Sequence, residues 1–241
     1  MPHVHPIYSD TFSRRRRQFI IVLVAVIVAC AGFFVYWFNF RTDRPSPRTY
    51  PVLGVRLDQT DGYQDFNALH QAGVRFAYLK ATEGASYFDD DYTANLHRAS
   101  GTEVVTGAIH FFSFSSTPNA QADAFIKHVG TDVGKLPVAV ELSAYTSLPS
   151  KNTLAANLLI FLRRIEANYG RQCVVMGTSK MLAYVQAAIG TRKTIVIAEN
   201  QIRHSQHEFW QFGTTTKIAG AQYRGMVYVG SKQQFSALVG Q

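Results

Sequence analysis

The chain has 241 residues, of which 47% are hydrophobic and 13% aromatic, so it is long and apolar enough for one folded domain with an appendage. Its formal charge of +8 is concentrated in residues 1–48, which hold seven arginines and two aspartates. The remainder is nearly balanced, with 17 basic and 14 acidic residues, which argues against a nucleic-acid-binding domain. No metal-ligand spacing and no glycine-rich phosphate loop occurs, so neither a metal nor a cofactor is predicted.

A single transmembrane helix is predicted near the N-terminus. Four arginines at 14–17 precede an uncharged run at 18–40, and the 22 residues from position 19 onward are apolar. At about 1.5 Å per residue that run is roughly 33 Å long, close to the hydrocarbon thickness of a bilayer. The arginine cluster favours a cytoplasmic tail at 1–17 and an extracytoplasmic C-terminal domain. We therefore expect a single-pass protein of the cell membrane, with a stiff, proline-rich linker at 41–51.

Two other interpretations of the apolar segment stay open. A cleaved secretory signal is disfavoured because the run continues well beyond its small residues Ala29 and Ala31. The tetrapeptide ending in Cys30 is similar to a bacterial lipoprotein box, in which the cysteine would be lipidated. Each alternative still leaves the domain outside the cytoplasm. With Cys30 in this segment, Cys173 has no partner for a disulfide within the domain.

From residue 52 onward, predicted strands and helices alternate. Strands are predicted at 52–58, 75–80, 103–112, 136–143, 172–177, 194–198, 208–212 and 225–229. Helices are predicted at 65–72, 90–100, 118–129, 152–169 and 180–188, with no helix afterwards. Alternating units indicate a parallel sheet, and eight strands close a barrel filled by its own side chains. We therefore predict an α/β domain at 52–241, an irregular TIM-like (β/α)5β3 barrel.

The fourth predicted strand carries the residues that bear most on function. It reads L-P-V-A-V-E-L-S, with one carboxylate, Glu141, among apolar residues. A charge in a core strand is costly unless it is paired or has a chemical role. Glu141 and Ser143 are two residues apart, so on a strand their side chains point to the same side. In β/α barrels the carboxyl ends of the strands carry the active site.

Several motifs in this order resemble the family-25 glycoside hydrolases, the Chalaropsis-type lysozymes. K-A-T-E-G occurs at 80–84, G-A-I-H-F-F at 107–112 and W-Q-F at 210–212, and the similarity extends over residues 53–231. The resemblance implies a barrel of five strand-helix units followed by three strands. It also implies hydrolysis of the glycosidic bond after N-acetylmuramic acid in peptidoglycan, with carboxylates on both sides of that bond.

The family's acidic positions are mostly replaced in this chain. Where the family has G-I-D, D-x-E and V-D-x-N, this chain has Arg56, Glu141 with Ser143, and Tyr228. Only Glu141 keeps an acid, and loss of a general acid typically costs about 10²- to 10⁴-fold in rate. A guanidinium at position 56 would also disfavour an oxocarbenium-like transition state. We predict an Arg56–Glu141 salt bridge, and we keep open whether Asp58 replaces the lost aspartate or only caps the next turn.

Four further residues are candidates for binding sugar, and three of them have a structural alternative. The resemblance places His110 near the cleft, but a histidine on an apolar strand is also typical of a core. Trp210 and Gln211 either line the cleft or close the barrel, and Tyr78 is a hypothetical stacking platform.

Three hypotheses for function follow. The first is a membrane-tethered, lysozyme-like domain that binds peptidoglycan glycan with impaired or absent hydrolysis. The second is an active muramidase with a rewired Asp58–Glu141 pair. The third is an envelope scaffold that does not contact glycan.

Overall fold

The computed structural model describes residues 9–40, 44–198, 207–213 and 216–240. The chain forms two compact units, residues 1–42 and 43–241. Positions 1–8 of the predicted tail and 41–43 of the predicted linker lie outside the described residues.

The first unit is a single helix, α1 (Ser9–Phe40). It contains the four arginines and the apolar run without interruption. Its stretch Arg14–Phe34 is long and apolar enough to cross a membrane, and none of it is buried within the structure. The predicted apolar helix is therefore present, and it begins several residues before the predicted span.

The second unit is a barrel surrounded by helices. Its strands are β1 (Leu53–Leu57), β2 (Val74–Glu83), β3 (Tyr87–Phe88), β4 (Val105–Phe111), β5 (Ala139–Glu141), β6 (Val174–Thr178), β7 (Thr194–Ile197), β8 (Phe209–Gln211), β9 (Thr216–Ile218) and β10 (Ala221–Tyr228). Its helices are α2 (Phe66–Gln71), α3 (Tyr92–Ser100), α4 (Pro118–Val129), α5 (Lys151–Tyr169), α6 (Ser179–Tyr184), α7 (Gln186–Ile189) and α8 (Lys232–Val239), with a 3-10 turn at Gln59–Asp61.

Eight of the described strands close the barrel in the order β1-β2-β4-β5-β6-β7-β8-β10. The pairs from β1 to β8 are parallel, whereas β10 runs antiparallel to both β8 and β1. The short strands β3 and β9 pair only with β2 and β10. The predicted (β/α)5β3 barrel is confirmed, and its last strand is inverted.

Alternation along the strands sorts the apolar side chains into two cores. Phe76, Tyr78, Phe209 and Met226 fill the barrel interior, and the rings of Phe76 and Tyr78 each pack edge-on against Phe209 at centroid distances of 5.2 and 5.5 Å. The opposite strand faces pack against the helices. Gly54 is needed for the interior core, because a Cβ at that position would lie 2.3 Å from the Phe76 ring.

The structure corrects the predicted boundaries in three places. Helix α8 was not predicted, and its Phe235 packs against Phe76 and Tyr228 beneath the barrel. The helix predicted at 180–188 is two short helices, α6 and α7. Tyr50, predicted to lie in a linker, is 1% exposed and packs edge-on against Trp210, so the folded domain begins before residue 52.

Candidate functional site

The carboxyl end of the barrel brings together the residues at the family's acidic positions on the first and fourth strands. Arg56, near the end of β1, and Glu141, the last residue of β5, form an ion pair with Nη2 and Oε2 2.8 Å apart. Both side chains are nearly buried, at 11% and 5% exposure. The predicted salt bridge is confirmed.

The pair is close in distance but not fully satisfied by hydrogen bonds. Among the described residues, Glu141 Oε2 accepts no well-aligned hydrogen bond and Arg56 Nε has no acceptor. Burial raises the pKa of Glu141, and the nearby charges of Arg56, Lys80 and Arg224 only partly oppose that rise. The Glu141 carboxyl is therefore held in place by one guanidinium in a poorly solvated position.

A second ionic cluster lies beside the first. Arg224, on β10, is the register partner of Arg56, so the two guanidinium side chains extend from the same face of the sheet. Arg224 Nη1 donates to Asp58 Oδ2 at 2.6 Å, and Nη2 donates to Asp61 Oδ2 at 2.5 Å. Sequence reasoning missed Arg224, because its place depends on the antiparallel register of β10.

Asp58 is fully engaged in this cluster. It is the N-cap of the turn Gln59–Asp61, where Oδ1 accepts hydrogen bonds from the Thr60 backbone N–H and hydroxyl. Burial works against its ionised form, but the bonds from Arg224 and Thr60 outweigh burial and hold the pKa of Asp58 well below its usual range. The capping interpretation of Asp58 matches this geometry, and the carboxylate is tied to an arginine as well.

Lys80 carries the third cation at this end of the barrel. Its Nζ donates to Glu83 Oε2 at 2.7 Å and lies 4.8 Å from the centroid of the Tyr87 ring. Each of the cations Arg56, Lys80 and Arg224 therefore has a carboxylate partner. No cluster of three or more metal-ligating side chains was found among the described residues.

Ser143 lies just beyond β5 and is exposed. It borders a cavity of about 270 Å³ lined mainly by apolar side chains, including Leu142, Leu148 and Met181. The serine is thus at the same barrel end as Glu141, but it offers a hydroxyl where the family resemblance implies a carboxyl. A serine hydroxyl is too weak an acid to protonate a leaving group near neutral pH.

Tyr228 is at the wrong end of the barrel for the role assigned to it. It pairs with Phe209, the first residue of β8, and its backbone N–H donates to the Val52 carbonyl at 3.0 Å. Because β10 is antiparallel, its last residue reaches the amino end of the barrel rather than the carboxyl end. Tyr228 packs there against Phe235, so the expectation that it occupies a degenerate catalytic position is wrong.

Tyr78 is completely buried inside the barrel, where its hydroxyl donates to the Pro137 carbonyl at 3.2 Å. It has no surface on which a sugar ring could stack, so the predicted platform is wrong. Phe76 and Tyr78 both face the interior, and Lys80, two residues further along β2, lies at the carboxyl end.

His110 also belongs to the core. Its ring is 0% exposed and stacks on Phe161 of α5 with centroids 4.4 Å apart. The Gln121 side-chain amide donates to two backbone carbonyls, so its Oε1 faces the imidazole and accepts from Nε2 at 3.1 Å, while the Thr82 hydroxyl donates to Nδ1 at 2.7 Å. Burial lowers the pKa of His110 to about 4, so the ring is neutral. This placement matches the core interpretation of His110, and the ring has no exposed surface in this conformation.

Trp210 and Gln211 point to opposite sides of β8. Trp210 packs among the helix-facing residues, and its Nε1 donates to the Ala198 carbonyl at 2.7 Å, so it closes the barrel wall. Gln211 is 3% exposed, and its Oε1 has no hydrogen-bond partner among the described residues. Of the four predicted sugar-binding residues, only Gln211 keeps an unused polar atom at the carboxyl end.

Comparison with known proteins agrees with this architecture. The sequence model of Glycosyl hydrolases family 25 matches residues 57–221, which includes Asp58, Glu141 and Ser143 but neither Arg56 nor Tyr228. A family-25 glycosyl hydrolase from Bacillus anthracis superimposes with a TM-score of 0.76 at 24% identity, covering 82% of this chain and 97% of that one. The bacterial lysozyme from Streptomyces coelicolor gives a TM-score of 0.70 at 23% identity, covering 78% and 96%.

Two curated relatives are similar in sequence. Lysozyme M1 of Streptomyces globisporus is 37% identical over 83 residues, which are 34% of this chain and only 28% of that protein. The N,O-diacetylmuramidase of Arthroderma benhamiae is 26% identical over 183 residues, covering 66% of this chain and 77% of that enzyme. With the family match extending over most of the barrel, the chain belongs to glycosyl hydrolase family 25.

Proposed function

We propose that this chain is a membrane-anchored pseudoenzyme of family 25, whose extracytoplasmic barrel binds peptidoglycan glycan strands with impaired or absent hydrolysis. The observation that carries the proposal is the buried Arg56–Glu141 ion pair. The relatives named as a lysozyme and an N,O-diacetylmuramidase indicate the class of glycan. The apolar helix and the arginines at its start support the anchoring and the orientation.

The reaction of a retaining or inverting glycosidase needs one carboxylic acid that protonates the leaving oxygen and a second carboxylate that stabilises positive charge or activates water. Here Glu141 is bound to a guanidinium, and Asp58 is bound to Arg224. Ser143 offers no acid of suitable pKa. A permanent cation beside Glu141 also raises the energy of a positively charged transition state. These contacts favour binding without turnover over the rewired Asp58–Glu141 enzyme.

The test uses the full chain in detergent with purified insoluble peptidoglycan. We expect the protein to be retained on the pellet, and we expect release of soluble muropeptides no higher than that of Glu141→Gln. Release that is abolished in Glu141→Gln would establish the active enzyme instead. Absence of retention, together with a protein partner in crosslinking, would establish the scaffold role. A thermal unfolding curve for each variant checks that it is folded.

A gain-of-function variant tests the cause of the expected inactivity. Arg56→Asp combined with Ser143→Glu restores carboxylates at two positions of the family pattern. We expect release of soluble muropeptides to rise at least about 10²-fold above the wild-type level, in keeping with the usual contribution of a general acid. The matched control is Arg56→Asn with Ser143→Gln, which makes changes of similar size without new acids. A folded Asp/Glu variant that releases no more than this control would contradict the proposed cause.

A further inference from the structure

A cavity lined by three cations lies at the amino end of the barrel, opposite Glu141. Its volume is about 590 Å³, within the range of small-molecule sites. Its apolar lining residues include Val52 just before β1, Val105 at the start of β4 and Phe235 of α8. The cavity therefore combines apolar and charged lining side chains.

Three of the lining residues are cations: Arg44, Arg75 and Lys232. The one lining carboxylate, Glu103, is 85% exposed and lies 3.5 Å from His70. Arg75 Nη1 donates to the backbone carbonyls of His70 and Val74, both at 3.0 Å, and no carboxylate pairs with it among the residues that the structure describes. The cavity thus carries an excess of positive charge.

Arg44 gives the most direct sign of a missing partner. Its Nε is buried, and no described residue accepts a hydrogen bond from it. Burial also lowers the pKa of Arg44, as expected for a guanidinium that has lost water without gaining a counterion. A guanidinium binds phosphate through two parallel hydrogen bonds, which an anion seated in this cavity would provide.

The short connection between Arg44 and α1 favours a lipid phosphate as the anion. Three residues, 41–43, separate it from the end of α1, so at most about 14 Å of extended chain lies between them. If α1 spans a membrane, phosphate groups of lipids lie within that reach. Basic residues next to a membrane span are attracted electrostatically to the headgroups of anionic lipids.

We propose that this cavity binds the phosphate-bearing headgroup of an anionic phospholipid, with Arg44, Arg75 and Lys232 as its ligands. The proposal rests on the proposed membrane anchoring, but not on the state of the catalytic positions. Because the cavity and the Arg56–Glu141 pair lie at opposite ends of one barrel, a lipid bound at the first leaves the second open to glycan.

The test measures thermal unfolding of the full chain in nanodiscs. Discs of pure phosphatidylcholine are compared with discs containing phosphatidylglycerol, and unfolding is followed by the fluorescence change on exposure of the buried Trp210. We expect the midpoint temperature of thermal unfolding to rise by roughly 2–6 °C in discs that contain phosphatidylglycerol, as for a ligand that binds only the folded state. No rise in the wild-type chain would overturn the proposal. Failure of the chain to enter the discs would instead overturn the anchoring.

Matched variants distinguish specific lipid binding in the cavity from non-specific electrostatic attraction to the membrane surface. Arg44→Gln and Lys232→Gln should lose most of the lipid-dependent rise, whereas Arg48→Gln should keep it. Arg48 is exposed in the same segment and does not line the cavity. Equal losses in Arg44→Gln and Arg48→Gln would mean non-specific attraction and would overturn the site. A similar rise in phosphatidylcholine discs on addition of free glycerol phosphate would overturn the assignment to a lipid.

Discussion

The two ends of the barrel differ in whether their cations have carboxylate partners. At the carboxyl end, Arg56 and Arg224 are both paired with carboxylates at 2.8 Å or less. At the amino end, Arg44 and Lys232 have no described ion-pair partner, and Arg75 is bound only to backbone carbonyls. The family resemblance places the catalytic acids at the carboxyl end, yet in this chain the carboxylates at that end are neutralised by arginines.

Charge pairing distinguishes cations that are held in ion pairs from cations that can bind a charged ligand. A carboxylate that is tied to an arginine is ordered, but it is not free to exchange a proton with substrate. A cation without a described anion, such as the half-buried Arg44 or the exposed Lys232, adds no ion pair to the fold and retains its capacity to bind a ligand. On this basis the cations at the carboxyl end hold carboxylates of the same chain, and the cations at the amino end can bind an anionic ligand.

The largest effect is expected at the Arg56–Glu141 pair. Arg56→Met should reduce the free energy of unfolding by about 3–5 kcal/mol, because it leaves a buried carboxylate without its counterion. The loss should be greatest at neutral and alkaline pH. The pKa of Glu141 is already raised by burial and rises further without Arg56, so acidification protonates the orphaned carboxyl and recovers part of the stability. Urea denaturation at several pH values measures both effects.

Two controls define that prediction. The double variant Arg56→Met/Glu141→Leu should be as stable as the wild type or more stable, by up to about 4 kcal/mol, because no unpaired charge remains. Arg164→Met, which breaks the exposed Arg164–Asp123 pair, should cost less than about 1 kcal/mol. A double variant as unstable as Arg56→Met would contradict the assignment of the loss to an unpaired charge.

A smaller effect is expected at Asp58. Asp58→Asn keeps a side-chain cap but weakens the bond from Arg224, and should cost about 1–3 kcal/mol near neutral pH. The folded-state pKa of Asp58 lies below its ordinary 3.8, so its contribution is complete above about pH 4 and is lost as the pH falls further. The difference in unfolding free energy between wild type and variant should therefore shrink below pH 4.

Asp65→Asn is the matched control for Asp58→Asn. Asp65 also caps a helix, through a bond from the Ala68 backbone N–H at 3.0 Å, but it has no arginine partner among the described residues. Its substitution should cost only a few tenths of a kcal/mol, since asparagine is an equally good cap. Equal costs at the two positions would mean that the Arg224 contact does not stabilise Asp58.

The sequence predicts the local features of this molecule better than the long-range ones. Alternating strand and helix patterns and the capping of the turn after β1 follow from spacing and local chemistry. The pairing of Arg56 with Glu141, which joins two distant strands, was predicted only because the family resemblance places both residues at one end of the barrel. Positions that depend on the direction of β10 were not predictable in this way. Inversion of that strand places Tyr228 at the amino end and brings Arg224 beside Asp58.

Sequence patterns also failed to show which side chains of a strand point into the barrel interior and which point towards the helices. His110 and Trp210 lie on helix-facing positions and Tyr78 on an interior position, although all three belong to motifs or strands near the cleft. In a β/α barrel both faces of each strand are buried, so apolar periodicity does not distinguish the faces. Family motifs of this kind can mark the packing of the wall as well as the chemistry at its rim.

The smallest effect is expected at the amino end, in the absence of anionic lipid. Arg44→Gln and Lys232→Gln should change the free energy of unfolding by no more than about 0.5 kcal/mol in phosphatidylcholine discs, because neither residue has a described ion pair to lose. Arg44→Gln should lie on the stabilising side of that range, since it removes a partly buried guanidinium whose Nε has no acceptor among the described residues. Chemical denaturation of the full chain, with Arg48→Gln as the exposed control, measures these changes. A loss above 1 kcal/mol in either variant would show that the amino-end cations hold the fold as those at the carboxyl end do, and the contrast between the two ends would disappear.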